Sequence, residues 1–330
     1  MREKGACGGV KKVDNKVRRE NETDERETFI HTLKEVANSV LDDSVNYYIF
    51  YYRNSGKRKI NAFKTSINES IGKRLSVAIR NSIKSLQPNS IYDYEDNDSE
   101  NNHDPELIES VEVPRFKEIM TAIAETEEML SLSSLKEATS PKFAITMGKI
   151  TGFGVLRKVS YLKEKRSFMS LNDSGVFNEI DDAVLLEVPD SISAFHFDDK
   201  IVIFSEGVFE SIFNYHEKIM STLENKMEYS QKLFSDTALF YNSIRSDSRK
   251  ARKLFNAYNS DYITSLKVSD IVDYATEFNL DIKINQDDDK IDFASSNAWH
   301  VVKAICEDFF TGRWSKNHFS ANNKFRLNGK

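Results

Sequence analysis

The last twenty residues of the chain, 311–330, carry side chains suited to binding a polyanion. They contain five cations, three aromatic rings and four asparagines, with no Asp or Glu. Cations neutralise phosphates while rings and amides contact bases or sugars, so this composition is typical of a sequence-tolerant nucleic-acid surface. Trp314 and Phe319 could instead pack the tail onto the last helix, and for Trp314 we favour that role. The cations are Arg313, Lys316, Lys324, Arg326 and Lys330.

A second set of cations lies on one side of a predicted helix at residues 69–86. Lys73, Arg80 and Lys84 are spaced so that, at 100° per residue, they fall within about 40° of one another. Between residues 53 and 84 the chain has nine cations and one acid, Glu69. This pattern favours an anionic polymer as partner, and an ordinary solvated helix face is the alternative. The hairpin cations that could extend the patch are Lys57, Arg58 and Lys59.

A third basic cluster opens a predicted helix at residues 248–258. Cations in a first helical turn oppose the helix dipole unless an anion binds there, so the cluster is a modest sign of an anion site. Its cations are Arg249, Lys250, Arg252 and Lys253. A further basic run at 157–166 is interpreted as lysine protection of a sheet edge.

Charge is strongly separated along the chain. The formal net charge is −6, but residues 93–112 alone hold nine acids and no Lys or Arg. The remainder therefore carries −6 minus −9, or +3. An acidic total does not exclude a nucleic-acid partner, because the cations are grouped away from this segment.

The motifs of common enzyme classes are missing from the sequence. We find no GxxxxGK[ST], GxGxxG, HExxH or GxSxG pattern, and Gly152 and Gly154 are interpreted as turn residues. No cofactor or metal is expected, and the chain is predicted not to be an enzyme. A metal-dependent nuclease remains an alternative, since it needs clustered carboxylates beside a lysine. The residues nearest to that arrangement are Glu187, Asp190, Asp198, Asp199 and Lys200.

Length and composition indicate a globular protein. A chain of 330 residues with 39% hydrophobic content can bury more than one core. No apolar stretch is long enough for a membrane span, and the N-terminus lacks the apolar core of a signal peptide. Two cysteines, Cys7 and Cys306, cannot form a disulfide framework and fit a reducing cytosol.

The pattern of apolar residues predicts an α+β fold. We expect an antiparallel sheet flanked by helices, then a mainly helical region and a small α-β-β-α unit before the basic tail. The predicted divisions are a flexible arm at 1–26, an N-terminal domain at 27–204 with an acidic loop at 92–112, and a helical C-terminal domain at 205–330. Predicted strands are 45–52, 59–63, 143–150, 154–161, 183–188 and 194–204, and predicted helices include 207–234, 236–241, 267–279 and 296–310.

From about residue 143 to 326 the order of features resembles a known family. The carrying segments are VLLEVPDSISAFHFDDKIVIFSEGVFESIFNYHEK at 184–218 and FFTGRWSKNHFSANNKFRL at 309–327. They look like the KwaB family, the DNA-binding subunit of the two-gene Kiwa anti-phage defence system. Phe319 stands where the family pattern has tyrosine. The similarity covers somewhat over half of the chain, and Lys324 is part of the matched ending.

The resemblance implies a cytosolic protein that binds double-stranded DNA with little sequence preference and forms a homo-oligomer. It also implies docking on a KwaA-like membrane protein at the inner face of the membrane, and action by holding or obstructing phage DNA without catalysis. An interaction scaffold, in which basic faces meet acidic segments of partner chains, is the alternative of a different class.

Overall fold

A computed structural model gives the fold of most of the chain. At residues 10–23, 132, 158, 169–171, 177–179, 227 and 229 it covers the backbone alone. The described ranges are 10–40, 45–53, 59–94, 104–138, 140–158, 169–171, 177–179, 186–187, 189, 191–258, 265–285, 287–294 and 296–321. The chain forms two compact units, the first from residues 1–92 and 103–213 and the second from residues 93–102 and 214–330.

The first unit is built on a large sheet. Its helices are α1 (Val10–Ser39), α2 (Glu69–Ser85), α3 (Phe116–Glu125), α4 (Leu132–Glu137) and α5 (Glu206–Phe213). Its strands are β1 (Val45–Arg53), β2 (Lys59–Thr65), β3 (Tyr92–Asp93), β4 (Glu106–Glu109), β5 (Lys142–Met147), β6 (Ile150–Val155), β7 (Arg157–Lys158), β8 (Met169–Leu171), β9 (Phe177–Glu179), β10 (Leu186–Glu187), β11 (Ala194–Phe197) and β12 (Lys200–Ile203).

Eight of these strands form one sheet in the order β2-β1-β5-β6-β11-β12-β4-β3. The pairs from β2 through to β4 are all antiparallel, which confirms the predicted antiparallel sheet. Two further pairs, β7 with β10 and β8 with β9, form small ribbons. The predicted α+β class is thereby confirmed.

Helices cover both faces of the large sheet. On one face α1 and α2 pack through residues such as Leu33 and Ile79 against Phe143 and Ile145 of β5. On the other face the ring of Phe213 in α5 lies 5.2 Å from that of Phe153 in β6. Strand side chains alternate between faces, so neighbouring positions of one strand serve different layers.

Gly152 and Gly154 lie inside β6, and their interpretation as turn residues was wrong. A Cβ at Gly154 would approach the Phe143 ring to 2.4 Å, and one at Gly152 would meet Ile79 at 3.0 Å. The turn lies four residues before Gly152, at Gly148, where φ is +56°. Here glycine makes room for a neighbouring side chain rather than reversing the chain.

The segment 92–112 is not a continuous acidic loop. It contains β3 and β4, and β4 pairs with β12 in the register Ile108 opposite Ile201. Glu106 in β4 is buried. Two apolar residues between acids were too short a pattern to predict this strand, which depends on its pairing partner. Residues 95–103, which hold four of the nine acids, lie outside the described residues.

Helix α1 begins at Val10, within the segment predicted as a flexible arm. Residues 10–27 lack an apolar period, and sequence analysis therefore assigned them no helix. They are rich in Lys, Arg and Glu, which favour helix once a packed segment has supplied the costly nucleus. The packed part of α1 supplies it through Ile30, Leu33 and Ala37.

The second unit is mainly helical. Its helices are α6 (Tyr215–Asn225), α7 (Met227–Leu233), α8 (Thr237–Arg245), α9 (Ser248–Tyr258), α10 (Val268–Glu277) and α11 (Ala298–Ile305). Its strands are β13 (Lys283–Asn285), β14 (Lys290–Asp292), β15 (Phe309–Thr311) and β16 (His318–Ser320). The order α10-β13-β14-α11 is the predicted α-β-β-α unit, and β13 and β14 form its hairpin.

Two helix predictions in this part of the chain were too long. The helix predicted at 207–234 is divided into α5, α6 and α7, with a break at Asn214, where φ is +55°. The helix predicted at 296–310 ends at Ile305, and Phe309 and Phe310 belong to strand β15 instead. In both cases the apolar residues continue past the break, so a helical period alone did not show where the backbone changes direction.

The described helices include none that combines the length and the apolar character needed to cross a lipid bilayer.

Candidate nucleic-acid interface

Helix α2 presents a basic stripe on its outer side. The helix is capped by Asn68, whose side chain accepts a hydrogen bond of 2.9 Å from the Ser70 amide. Its apolar side buries Leu75, Ile79 and Ile83 against the sheet. The opposite side carries the residues that we call the α2 stripe, namely Lys73, Val77, Arg80 and Lys84.

The members of the α2 stripe differ in how they are held. Lys73 forms an ion pair of 2.6 Å with Glu69, and this hydrogen bond and charge lower the pKa of Glu69. Arg80 is half-buried and donates a hydrogen bond of 2.9 Å to the Val40 carbonyl. Lys84 is exposed, and so is Arg74, which follows Lys73 directly in the chain. Because an exposed ion pair contributes little, Glu69 does not remove Lys73 from competition for a phosphate.

Lys59 lies away from the α2 stripe. It pairs with Arg53 at the tip of the β1–β2 hairpin, and Tyr47 pairs with Thr65 at the other end. The end with Tyr47 is the one close to α2, because the Tyr47 hydroxyl approaches Gly72. Six residues of strand separate Lys59 from Thr65, which corresponds to about 20 Å. The expected extension of the patch is therefore not present at Lys59, and Lys57 and Arg58 lie outside the described residues.

The cations of α9 are largely engaged within the second unit. Asp247 accepts hydrogen bonds from the amides of Arg249 and Lys250, at 3.0 and 3.4 Å, and lies 3.6 and 3.5 Å from their side chains. Burial alone would raise the pKa of Asp247, but these amides and charges lower it below its usual value. The anion that sequence analysis expected at this helix start is thus supplied by the protein itself.

The other two α9 cations point into the protein. The Arg252 guanidinium lies 4.4 Å from the centre of the Tyr94 ring, and burial lowers the pKa of Arg252. Lys253 forms an ion pair of 2.6 Å with Asp308, whose side chain is 1% exposed. Of the four, Arg249 remains the most accessible, with 84% of its side chain exposed.

The start of the basic tail folds as a hairpin with exposed rings. We call residues 309–320, which comprise β15, β16 and their connecting turn, the aromatic hairpin. Trp314 is 87% exposed, so the core-packing role that we favoured for it was wrong. The described part of the chain brings no carboxylate within ion-pair distance of Arg313 or Lys316. Lys324 and Arg326 lie outside the described residues.

Sequence reasoning missed Phe310 as a surface residue, because it was assigned to a helix. The signal present in the sequence was Gly312. In the structure, a Cβ at this position would meet Ser315 Oγ at 2.6 Å and the Phe319 ring at 2.8 Å. A glycine after two phenylalanines and a threonine is typical of a strand that enters a turn.

The acids of the nuclease alternative serve local structure. Asp198 and Asp199 form the turn between β11 and β12, with Asp198 at φ +54°, and Lys200 pairs with Glu109 across β12 and β4. Among the residues that the structure describes, no group of three His, Cys, Asp or Glu side chains is placed to hold a metal ion. Glu187 is exposed in β10, and Asp190 lies outside the described residues.

Comparison with known proteins yields one family. A family model described as Kiwa protein KwaB-like matches residues 142–313, just over half of the chain. No curated protein and no solved structure matches. The match begins at β5, includes α5 to α11, and ends within the turn of the aromatic hairpin.

Proposed function

Since this chain belongs to the KwaB-like family of Kiwa proteins, we propose that it serves anti-phage defence by binding double-stranded DNA with little sequence preference. The role in anti-phage defence follows from the family, as does work in a complex with other Kiwa subunits. In our proposal the protein holds or obstructs phage DNA and breaks no bond itself.

The α2 stripe is the observation that supports DNA binding most directly. Lys73 and Lys84 are eleven residues apart on one helix face, or about 17 Å along the axis. Over that length duplex DNA presents about ten phosphates. Cations that meet phosphates release condensed counterions and read no base edges, which gives strong, salt-dependent binding without sequence preference.

A charge-reversal experiment tests this face. The variant K73E/R74E/K84E spares Arg80, because Arg80 also holds the Val40 carbonyl. Near 0.1 M salt we expect its affinity for duplex DNA to fall about 100-fold or more, because each lost phosphate contact forfeits release of about 0.9 counterion. The measurement is a fluorescence anisotropy titration at several salt concentrations.

The matched control is K117E/K136E/K149E, which changes the net charge equally at exposed positions on α3, on α4 and in the β5–β6 turn. This control and the wild type should bind alike, and all three proteins should melt at similar temperatures. Unchanged binding by K73E/R74E/K84E would reject the α2 stripe as the DNA site.

The absence of catalysis is tested separately. Plasmid DNA incubated with Mg²⁺ or Mn²⁺ should remain intact with the wild type. If it is cleaved, and the variant D198N/D199N no longer cleaves it, the nuclease alternative replaces our proposal. Asparagine is used because it tolerates the positive φ of Asp198.

Partners other than DNA are proposed from the family alone. We propose that the chain forms a homo-oligomer and that a KwaA-like membrane protein recruits it to the inner face of the membrane. Co-purification of tagged chain with that partner from solubilised membranes, with and without DNA-binding substitutions, tests the recruitment independently of the α2 stripe.

A further inference from the structure

The aromatic hairpin concentrates exposed rings on one surface. Phe310, Trp314 and Phe319 are 50%, 87% and 43% exposed. Among the residues whose side chains are described, no other phenylalanine or tryptophan is exposed to this degree. Burying such rings is normally favourable, so a rigid set of them in solvent indicates a surface that binds a partner.

The inner face of the hairpin is fixed to the second unit. The Tyr274 hydroxyl donates to the Phe309 carbonyl at 2.6 Å and accepts from the Phe309 amide at 2.8 Å. Lys303 Nζ donates to Ser320 Oγ at 2.7 Å, and the Phe278 ring packs against Phe309 and His318. These contacts hold one face of the strands, and the side chains of Phe310 and Phe319 on the other face are exposed.

The outer face presents two flat aromatic platforms. Phe310 and Phe319 pair directly across β15 and β16, and their rings stack at 5.4 Å with an angle of 21°. In the turn, the Arg313 guanidinium lies 5.1 Å from the centre of the Trp314 ring. Gly312 closes the turn, because its amide donates to the Asn317 carbonyl at 2.8 Å and a Cβ there would clash with Phe319.

Charge and side-chain type identify the chemistry of the partner. Residues 309–320 contain Arg313 and Lys316 and no acid, which fits a polyanion. Every large apolar side chain in this range is aromatic and none is aliphatic. Flat rings beside cations match unpaired nucleic-acid bases, which stack on aromatic side chains while their phosphates meet Arg and Lys. A surface that binds lipid can use aliphatic side chains as well as rings, but residues 309–320 contain no aliphatic side chain, which favours nucleic-acid bases over lipid.

We propose that the aromatic hairpin is a second nucleic-acid site, one that binds unpaired bases of a single strand by stacking on Trp314 and on the Phe310–Phe319 pair. It lies in a different unit from the α2 stripe and uses rings rather than phosphate contacts alone. Trp314 and Phe319 lie beyond the residues that the family model matches. The proposal therefore holds or fails independently of duplex binding at α2.

The test uses Trp314 as its own reporter. The chain has two tryptophans, so W299F leaves Trp314 as the sole one. A thymidine oligonucleotide of about 20 residues should quench the fluorescence of W299F, since a base stacked on the indole quenches it. W314A should bind this oligonucleotide about 5- to 100-fold more weakly, and W314F should recover most of that loss.

Two controls separate stacking from general effects. V111A removes an equally exposed apolar side chain from the first unit and should bind like the wild type. Covalently closed duplex DNA offers few unpaired bases, so its affinity for W314A should stay within about twofold of the wild type. Binding of a uridine oligonucleotide at similar strength would support recognition of bases regardless of the sugar.

Other results would overturn the proposal. These are no quenching in W299F, equal oligonucleotide affinity of W314A and wild type, or an equal loss for closed duplex. If W314A keeps oligonucleotide binding but loses pelleting with phosphatidylcholine–phosphatidylglycerol vesicles, the hairpin is a membrane contact instead. If W314A keeps oligonucleotide binding but loses self-association in sedimentation, the hairpin is a contact between copies.

Discussion

At the residue scale, Lys142 is an ionisable side chain enclosed by the first unit. It is 3% exposed, its ammonium donates to the Ser140 carbonyl at 3.2 Å, and it lies 5.1 Å from the centre of the Tyr52 ring. Burial penalises the charged form and lowers the pKa of Lys142 from 10.5 to about 8. Folding at neutral pH therefore costs the desolvation of this ammonium.

The lowered pKa makes stability depend on pH. Between pH 8 and 10.5 the unfolded chain binds more protons at Lys142 than the folded chain, so the free energy of unfolding rises with pH. The gain reaches at most about 3 kcal/mol.

We predict that K142M removes this gain and is more stable than the wild type at pH 7.5, as measured by urea unfolding at pH 7.5 and 10. K149M, at an exposed position, should show the same change in the free energy of unfolding between pH 7.5 and 10 as the wild type. The same change in K142M as in the wild type would contradict the prediction.

The Lys253–Asp308 pair is the second residue-scale case. Asp308 is almost fully buried, and removing either partner leaves an uncompensated charge in the interior. We predict that D308N or K253M lowers the free energy of unfolding by about 3 kcal/mol. The double variant should lose clearly less than the sum, because the remaining charge is removed too. Strict additivity in urea unfolding would show that the two side chains are not coupled.

At the element scale, the β5–β6 hairpin depends on two glycines that make space. We predict that G154A destabilises the protein by about 1–3 kcal/mol, because its Cβ would lie 2.4 Å from the Phe143 ring. G207A in α5 meets nothing within 4 Å and should be neutral or stabilising by about 0.5 kcal/mol. Thermal melting compares the two, and equal effects would mean that the close approach is relieved without cost.

Helix α2 carries its own competitor for phosphate in Glu69. We predict that E69Q strengthens duplex DNA binding by up to about fivefold at low salt, because Lys73 loses its carboxylate partner. The difference should fade as salt screens both interactions. E118Q, which breaks the pair between Arg115 and Glu118 on α3, is the control and should leave binding unchanged. A similar gain in both variants would point to net charge rather than to the α2 stripe.

At the scale of the whole molecule, the second unit combines an acidic segment with the cations of α9. Tyr94, which contacts Arg252 of α9, is followed at once by four acids at residues 95–100. Their negative charge disfavours the binding of a polyanion such as DNA.

Neutralising these acids distinguishes DNA binding from the scaffold alternative. For E95Q/D96N/D98N/E100Q we predict equal or higher affinity for duplex DNA at low salt, with no change in particle mass by light scattering. The substitutions keep the chain length and leave Tyr94 in place. If acids of one copy meet cations of another, the variant should instead dissociate into smaller particles, and the scaffold function would then be favoured.

Much of the fold was predictable from the sequence because it depends on local patterns. The β1–β2 hairpin, α2, α9 and the α-β-β-α unit follow from apolar periods of about 2 and 3.6 residues with clear turn signals. Strand β4 and the glycines of β6 were not predictable in this way. Their conformation is set by Ile201 opposite Ile108 and by the Phe143 ring, which are partners from distant parts of the chain.

The sequence by itself determined the class of fold, the family and the positions of the basic clusters. Only the tertiary structure decided which cations remain available. Asp247 and Asp308 pair with three of the four cations of α9, and Arg252 lies over the Tyr94 ring. Arg313, in contrast, lies beside the exposed ring of Trp314. The physical reason is that a charge acts through its neighbours in space, and those neighbours come from residues far apart in the sequence.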